Sequence, residues 1–398
     1  MFKSPQEKTI SQKFCCSSSV MSGVQIEEFR APEWVKPYIS HASIPAFRVR
    51  LAQLPTPVQR FALPQEWIDH DPAASTGKFD VFVKRDDMTG STLSGNKVRK
   101  LEFLLADAMH QRCDVIISAG GIQSNHARTT AVAARELGME PHMFLRLKTP
   151  DQPHTAGSHG NMFLHKMVGT HVHLVPPLPY LTGLLPKMEA LKEKLSETRG
   201  LASYIIPIGG SNSLGVWGYL MAWDELLHVD NVYERFDDIV LAVGSGGTAS
   251  GLAIGNYLTG GKVKVHAVSV CDNAEYFHEH CNEMLRDLGL GDRTCSEEIL
   301  DILDDYKGRG YALNTDEELK FCLQIAQATG VPVDPVYTLK AVLGMTTEMR
   351  NNPARFQGRR VLFIHTGGIF GLFDMRMVDH LDHAVVQTWH DERDEAKQ

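Results

Sequence analysis

No stretch of eighteen uninterrupted apolar residues occurs in the chain, so nothing in it reads as a membrane span. Cysteine is scarce: there are seven, none in a C-x-x-C pair, and two are the adjacent Cys15-Cys16. That argues against zinc ribbons and a disulfide framework, and fits a reducing interior. There is no basic surplus, since 40 Lys and Arg face 48 Asp and Glu for a net charge of −8, so no nucleic-acid partner is expected. No internal repeat of fixed period is visible. What remains is 398 residues, 43% hydrophobic, enough to bury a large core in two lobes. The first 22 residues stand apart: Lys3, Lys8 and Lys13 face a single acid, Glu7, beside a run of serines at Ser17–Ser19. This is transit-peptide composition, although arginine is missing; mitochondrion ranks ahead of plastid. The alternative is a disordered tail with a start at Met21 and a cytoplasmic protein.

Strand-like runs alternate with helical stretches, an α/β pattern with parallel sheets. The strands expected are Val81–Lys84, Val115–Ser118, Met143–Leu147, His171–Val175, Tyr204–Pro207, Ile239–Val243, Val263–Val270 and Val361–His365. Several are Val/Ile-rich without alternation, as strands buried on both faces are. Helices are expected over Lys97–Gln111, Thr129–Leu137 and Ala249–Leu258, and from about Gly183 to Thr198 after a rigid Pro-rich loop at Val175–Pro179.

Two runs carry most of the chemistry. In Ser91–Glu102, Lys97 follows a Gly-Asn turn at the start of a helix. A desolvated lysine there, near other cations, can lose its proton and form a Schiff base. In Ala119–Arg128 a strand ends in two glycines, and Ser124 and Asn125 follow at a helix N-terminus, where backbone N–H groups can hold a carboxylate. A third run, Ile239–Gly251, takes a strand into Gly244-Ser245-Gly246-Gly247-Thr248 and a helix, a seat for a phosphate. A fourth, Val361–Gly368, ends a strand at Thr366, whose hydroxyl suits a ring nitrogen at the carboxyl edge of the sheet. Together these point to pyridoxal-phosphate (PLP) chemistry on an amino acid. A dinucleotide is the alternative, because Gly244-x-Gly246-x-x-Ala249 is a permitted fingerprint, but its acid, Asp272, comes late. The histidines between His154 and His173 include His171-x-His173 on one strand face. No carboxylate or cysteine lies at a useful spacing, so no metal is expected there. Cys113 and Cys271 abut strands and are expected to pack as small apolar residues.

With these residues in view, the chain resembles the fold type II PLP enzymes. The branch it is most similar to contains the 1-aminocyclopropane-1-carboxylate (ACC) deaminases and D-cysteine desulfhydrases. The likeness runs from about Phe47 to about Phe373 and rests on SGNKVRKLE, AGGIQSNHAR, VGSGGTASG, GYALN, DPVYTLKA and HTGG in that order. It implies a two-domain, tryptophan synthase β-like fold with open, mostly parallel sheets flanked by helices. The small domain would be 101–213, and the large one 23–100 with 214–398. It implies that Lys97 is the Schiff-base lysine, that Asn125 meets the PLP 3′-oxygen and that Ser124 faces the substrate. Gly244, Ser245, Gly246, Gly247 and Thr248 would hold the phosphate, and Thr366 the pyridine nitrogen. Tyr311 and Tyr337 match two active-site tyrosines, and Gly121, Gln123, Asn125 and Thr338 would line the substrate site. A homodimer is implied.

Two departures from the deaminase pattern favour desulfuration. Thr338-Leu339 stands where deaminases carry Glu-Gly, and VGSGGT replaces a loop resembling VTGST. The reaction this implies is α,β-elimination from D-cysteine to hydrogen sulfide, pyruvate and ammonia, with Lys97 or Ser124 as the proton-transfer base. ACC deamination, elimination from D-serine or racemisation, and a non-catalytic scaffold of the same fold stand as alternatives.

Overall fold

The computed structural model describes residues 24–70, 77–148 and 151–381, so the N-terminal segment with its targeting composition lies outside the described residues. Twelve strands are present among them: β1 (Ile26–Glu28), β2 (Phe47–Val49), β3 (Val58–Arg60), β4 (Asp80–Lys84), β5 (Val115–Gly121), β6 (Glu140–Arg146), β7 (His171–Val175), β8 (Ser203–Ile205), β9 (Asp238–Val243), β10 (Lys264–Ser269), β11 (Asp301–Leu303) and β12 (Arg360–Ile364). They form a six-stranded sheet of order β11-β10-β9-β12-β4-β3, a four-stranded sheet of order β7-β6-β5-β8, and a β1-β2 pair. The four-stranded sheet is parallel throughout. In the larger sheet only β3 runs against its neighbour.

All eight expected strands occur, most with ends shifted by one to three residues. The apolar run Met143–Leu147 begins pairing earlier, at Glu140, because register with β5 extends over a polar start. Strands β1, β2, β3 and β11 carried no sequence signal; each has three residues, too short to show a period. The helix expected at Thr129 begins at Asn125, because the Ser124 hydroxyl accepts the Ala127 N–H and caps it there. The Pro-rich loop leads through a π-turn at Tyr180–Leu184 into the helix Leu185–Arg199.

β9 is buried at every position, and β5 at all but its last. Helices therefore cover both faces of each sheet, and the free backbone edge for ligands lies at the carboxyl ends of the parallel strands. The helix Lys97–His110 links the sheets, packing on β2, on the helix Asn125–Glu136 and on the helix Trp217–His228. An ionic cluster beneath fixes its first turn. Arg99 bonds Asp86 at 2.7 Å and Glu225 at 2.9 Å, Lys84 joins Glu225 and Asp230 at 2.6 Å each, and Tyr219 donates to Asp86 at 2.6 Å. Every charge there has a partner, which such burial requires.

Candidate active site

Four loops meet at the carboxyl ends of β5, β9 and β12 and at the turn before the helix Lys97–His110. Glycine makes the closest approach. Gly95 lies at φ +106, and a Cβ there would sit 3.0 Å from the Thr366 carbonyl; a Cβ on Gly367 would sit 2.5 Å from the Gly95 Cα. The Asn96 N–H donates to the Thr366 carbonyl at 3.1 Å. The lysine turn and the loop after β12 are thus locked together. Asn96 extends the link, its amide donating to the Thr248 hydroxyl at 2.9 Å and its Oδ1 accepting from Lys97 Nζ at 2.9 Å. Lys97, Thr248 and Thr366, far apart in sequence, therefore share one site.

Burial lowers the Lys97 ammonium to about 8; Asp334 opposes this and Arg128 adds to it. Arg128 is itself fully buried, and burial takes it down to about 9. It donates to Asn161 Oδ1 at 3.1 Å and to the carbonyls of Thr92 and Ser94, and stacks on Phe370. Asn161 in turn donates to Asn125 Oδ1 at 3.0 Å. Because Oδ1 is taken, the Asn125 side-chain NH2 is what remains to donate. The Ser124 hydroxyl accepts from Ala127, which leaves its own hydrogen free. The side chain of Gln123 is used at both ends, by the Asn161 N–H and the His159 carbonyl. Gly121 opens on space, with nothing within 4 Å of an added Cβ.

Two further loops close together around Lys100. Gly246 at φ +84 turns the chain into the helix Gly247–Leu258. Ser245 Oγ meets Ser211 Oγ at 2.9 Å, and the Gly247 N–H reaches Ser211 Oγ at 3.2 Å. A Cβ on Gly247 would intrude on Ser211 Oγ at 2.9 Å and on Lys100 Nζ at 3.0 Å. Lys100 is buried and bonds only the Gly209 carbonyl and Ser211 Oγ, at 3.0 and 3.1 Å. No carboxylate pairs with it among the described residues. Burial and the neighbouring Lys97 push its ammonium well below the usual lysine range. A buried cation lacking an anion, beside a glycine turn and a helix N-terminus, fits a phosphate group.

Tyr311 and Tyr337 share a hydrogen bond of 2.6 Å between their hydroxyls. The Tyr337 ring lies against Gly244, and burial with Tyr311 nearby pushes its phenol well above the usual range. Thr338 is fully buried and its hydroxyl is engaged twice by Asp334, accepting its N–H and donating to its carboxylate, both at 2.7 Å. Asp334 also takes the N–H groups of Val336, Tyr337 and Thr338, so it builds the turn that presents Tyr337.

Sequence reasoning passed over Lys100, Arg128, Asn161, Ser211 and Asp334. Lys100 had a signal, since i and i+3 positions share a helix face with Lys97. Arg128 closes a motif already singled out. Asn161 had none, because only the fold brings it to Asn125. Asp272, the acid of the dinucleotide reading, follows β10 and accepts the Ser269 hydroxyl through its own carbonyl.

An α/β scaffold with a depressed lysine beside a glycine turn, a helix N-terminus and a buried cation without a carboxylate suits a PLP enzyme. Residues 50–367 match the family of pyridoxal-phosphate dependent enzymes, and the chain belongs to that family. It is 44% identical over 351 residues to the bifunctional D-cysteine desulfhydrase/1-aminocyclopropane-1-carboxylate deaminase, mitochondrial, of Arabidopsis thaliana, covering 87% of this chain and 83% of that one. The crystal structure of an ACC deaminase homologue superposes with TM-score 0.71 at 32% identity, over 84% of this chain and 95% of that one. An O-ureido-L-serine synthase, at 15% identity and TM-score 0.55 over 86% and 96%, shares the fold. The family assignment sets the dinucleotide reading aside.

Proposed function

We propose that the protein eliminates hydrogen sulfide from D-cysteine, leaving pyruvate and ammonia after hydrolysis. The observation that carries this reading is Lys97, buried, depressed to about 8 and joined through Asn96 to the phosphate seat, in a chain 44% identical to an enzyme named for that reaction. Bound PLP supplies the electron withdrawal that weakens the Cα–H bond.

The residues divide the remaining work. Lys97 Nζ would hold the cofactor at rest and would serve as the base for the substrate's Cα proton; its lowered basicity keeps a useful fraction neutral. Gly244 to Thr248 with Lys100 would hold the cofactor's phosphate. Asn125, fixed by Asn161, would offer the cofactor its free NH2. Thr366 would offer the cofactor ring a neutral hydroxyl. The substrate carboxylate sits at the amino end of the helix Asn125–Glu136, over Gly121 and the backbone of Gln123, with the Ser124 hydroxyl donating. The Tyr311–Tyr337 pair is protonated at rest and would pass a proton to the departing sulfur, recovering it from solvent. Thr338, bound to Asp334, acts on the substrate only through the turn it stabilises.

Deaminating ACC is the second reading, favoured by the second activity in the Arabidopsis protein's name. The buried Thr338-Leu339 pair, where deaminases carry Glu-Gly, supports desulfuration as the faster reaction. A homodimer and the division at 101–213 belong to this proposal. Supporting them are the exposed apolar side chains of Phe373, Met375, Val378 and Leu381 and the separate sheets. Mitochondrial targeting rests on the composition of residues 1–22 and on the relative's name. Assaying sulfide from D-cysteine beside 2-oxobutyrate from ACC tests the reading; faster turnover of ACC would reverse it.

A further inference from the structure

The pair His171-x-His173 has no carboxylate near it in sequence, but the fold supplies one. β6 and β7 pair in parallel with His142 opposite His171 and Phe144 opposite His173. Strand alternation then puts Glu140, His142 and Phe144 on the same face as His171 and His173. Glu140 Oε1 lies 2.9 Å from His142 Nε2 and 3.0 Å from His171 Nε2. The His142 and His171 rings stack at 4.4 Å and 11°. His173 Nε2 meets the other nitrogen of His142, Nδ1, at 3.0 Å.

We propose that Glu140, His142 and His171 form a divalent transition-metal site of the zinc type, with water as the fourth ligand. The three ligand atoms lie within 4.8 Å of one another. A tetrahedral zinc with bonds of about 2.0–2.1 Å needs its ligand atoms about 3.3 Å apart. The two spacings to Glu140 need to open by only about 0.3–0.4 Å. His171 is the residue that moves: its side chain is 51% exposed, so it can turn out of the stack and aim its lone pair at the ion. Two imidazoles and one carboxylate suit zinc, cobalt or nickel rather than magnesium or calcium, which prefer all-oxygen shells.

The surroundings complete the site. Without metal, His142 carries its proton on Nε2 toward Glu140 and accepts from His173 at Nδ1. With metal on Nε2, that proton moves to Nδ1 and is donated to His173, the usual outer partner of a metal-bound histidine. His173 changes tautomer in step, and His171 moves its proton from Nε2 to Nδ1, so no net proton is lost. Arg199 holds Glu140 through both oxygens, at 2.8 and 2.9 Å, and keeps Oε2 when Oε1 turns to the ion. These ligands lie toward the amino ends of β6 and β7, whereas the PLP site lies at the carboxyl ends. The seven residues of β6 span roughly 20 Å. The ion would act as a clip, pinning the edge strand β7 to its neighbour rather than taking part in the chemistry.

Zinc titrated into the PLP-loaded full chain against a chromophoric chelator tests this, with no thiol substrate present to chelate the metal. One zinc per chain is expected, with affinity at least tenfold weaker in His171→Ala and in Glu140→Gln. The visible band of the lysine-bound cofactor should be intact in both variants. Cobalt in place of zinc should give tetrahedral ligand-field bands that His171→Ala abolishes. Zinc uptake unchanged in both variants would place the ion elsewhere, on the free cysteines for example, and overturn the proposal. So would failure of the wild type to compete with the chelator.

Discussion

Replacing Lys100 by methionine separates holding the cofactor from holding the fold. Lys100 is 1% exposed and has no carboxylate partner among the described residues, and its Nζ lies 3.0 Å from where a Gly247 Cβ would stand. Its Nζ donates to the Gly209 carbonyl and to Ser211 Oγ. Methionine fills a similar volume and removes a group that burial already drives toward neutrality. Fold stability should therefore change little, with acceptors left short by about 1–3 kcal/mol and relief from a desolvated charge offsetting them. Cofactor affinity should respond far more. A charge-assisted hydrogen bond to phosphate contributes about 1.5–3 kcal/mol, so PLP should bind about 10- to 150-fold more weakly. The assay is PLP titration of stripped protein, followed through the visible band, with exposed Lys187→Met as control. Wild-type affinity in Lys100→Met would refute the phosphate seat as drawn.

Three further outcomes follow from the same geometry. Gly246→Val puts a β-branched residue at φ +84 with its Cβ 2.7 Å from the His280 ring, so cofactor content after dialysis should fall while the fold persists; full retention would show the loop misread. Arg99→Met leaves Asp86 and Glu225 buried beside a missing cation and should cost about 3–5 kcal/mol in urea unfolding. At His266, burial alone would lower the pKa, but bonds of 2.8 Å to Asp238 and to Asp301 outweigh it and the pKa is raised. Its charge therefore adds stability that is fully present below about pH 6.5 and lost as pH rises through the raised value. The stability gap between wild type and His266→Gln should shrink as pH rises above about 6.5 in thermal unfolding, and a gap that widens would contradict the assignment.

The parallel core was legible because buried β-branched runs such as Ile239–Val243 differ from anything a surface helix carries. Lys97 and the glycine turns were legible for a related reason: close backbone approach demands glycine, and the demand is local. Strands of three residues left no period to read. Asn161 and Glu140 were invisible because their roles exist only across strand and helix contacts. Thr338 shows the opposite limit. The family resemblance implied a residue lining the substrate site, whereas the side-chain hydroxyl is engaged by Asp334 four positions earlier in the same turn.

Desulfuration through Lys97 is decided by supplying D-cysteine, L-cysteine, D-serine and ACC to the purified PLP-loaded protein and measuring sulfide, pyruvate and 2-oxobutyrate, with Lys97→Ala in parallel. Sulfide and pyruvate should form in equal amounts from D-cysteine, faster than any product from the other three, with no turnover or visible cofactor band in Lys97→Ala. Faster 2-oxobutyrate formation from ACC, or undiminished sulfide release by Lys97→Ala, would contradict it.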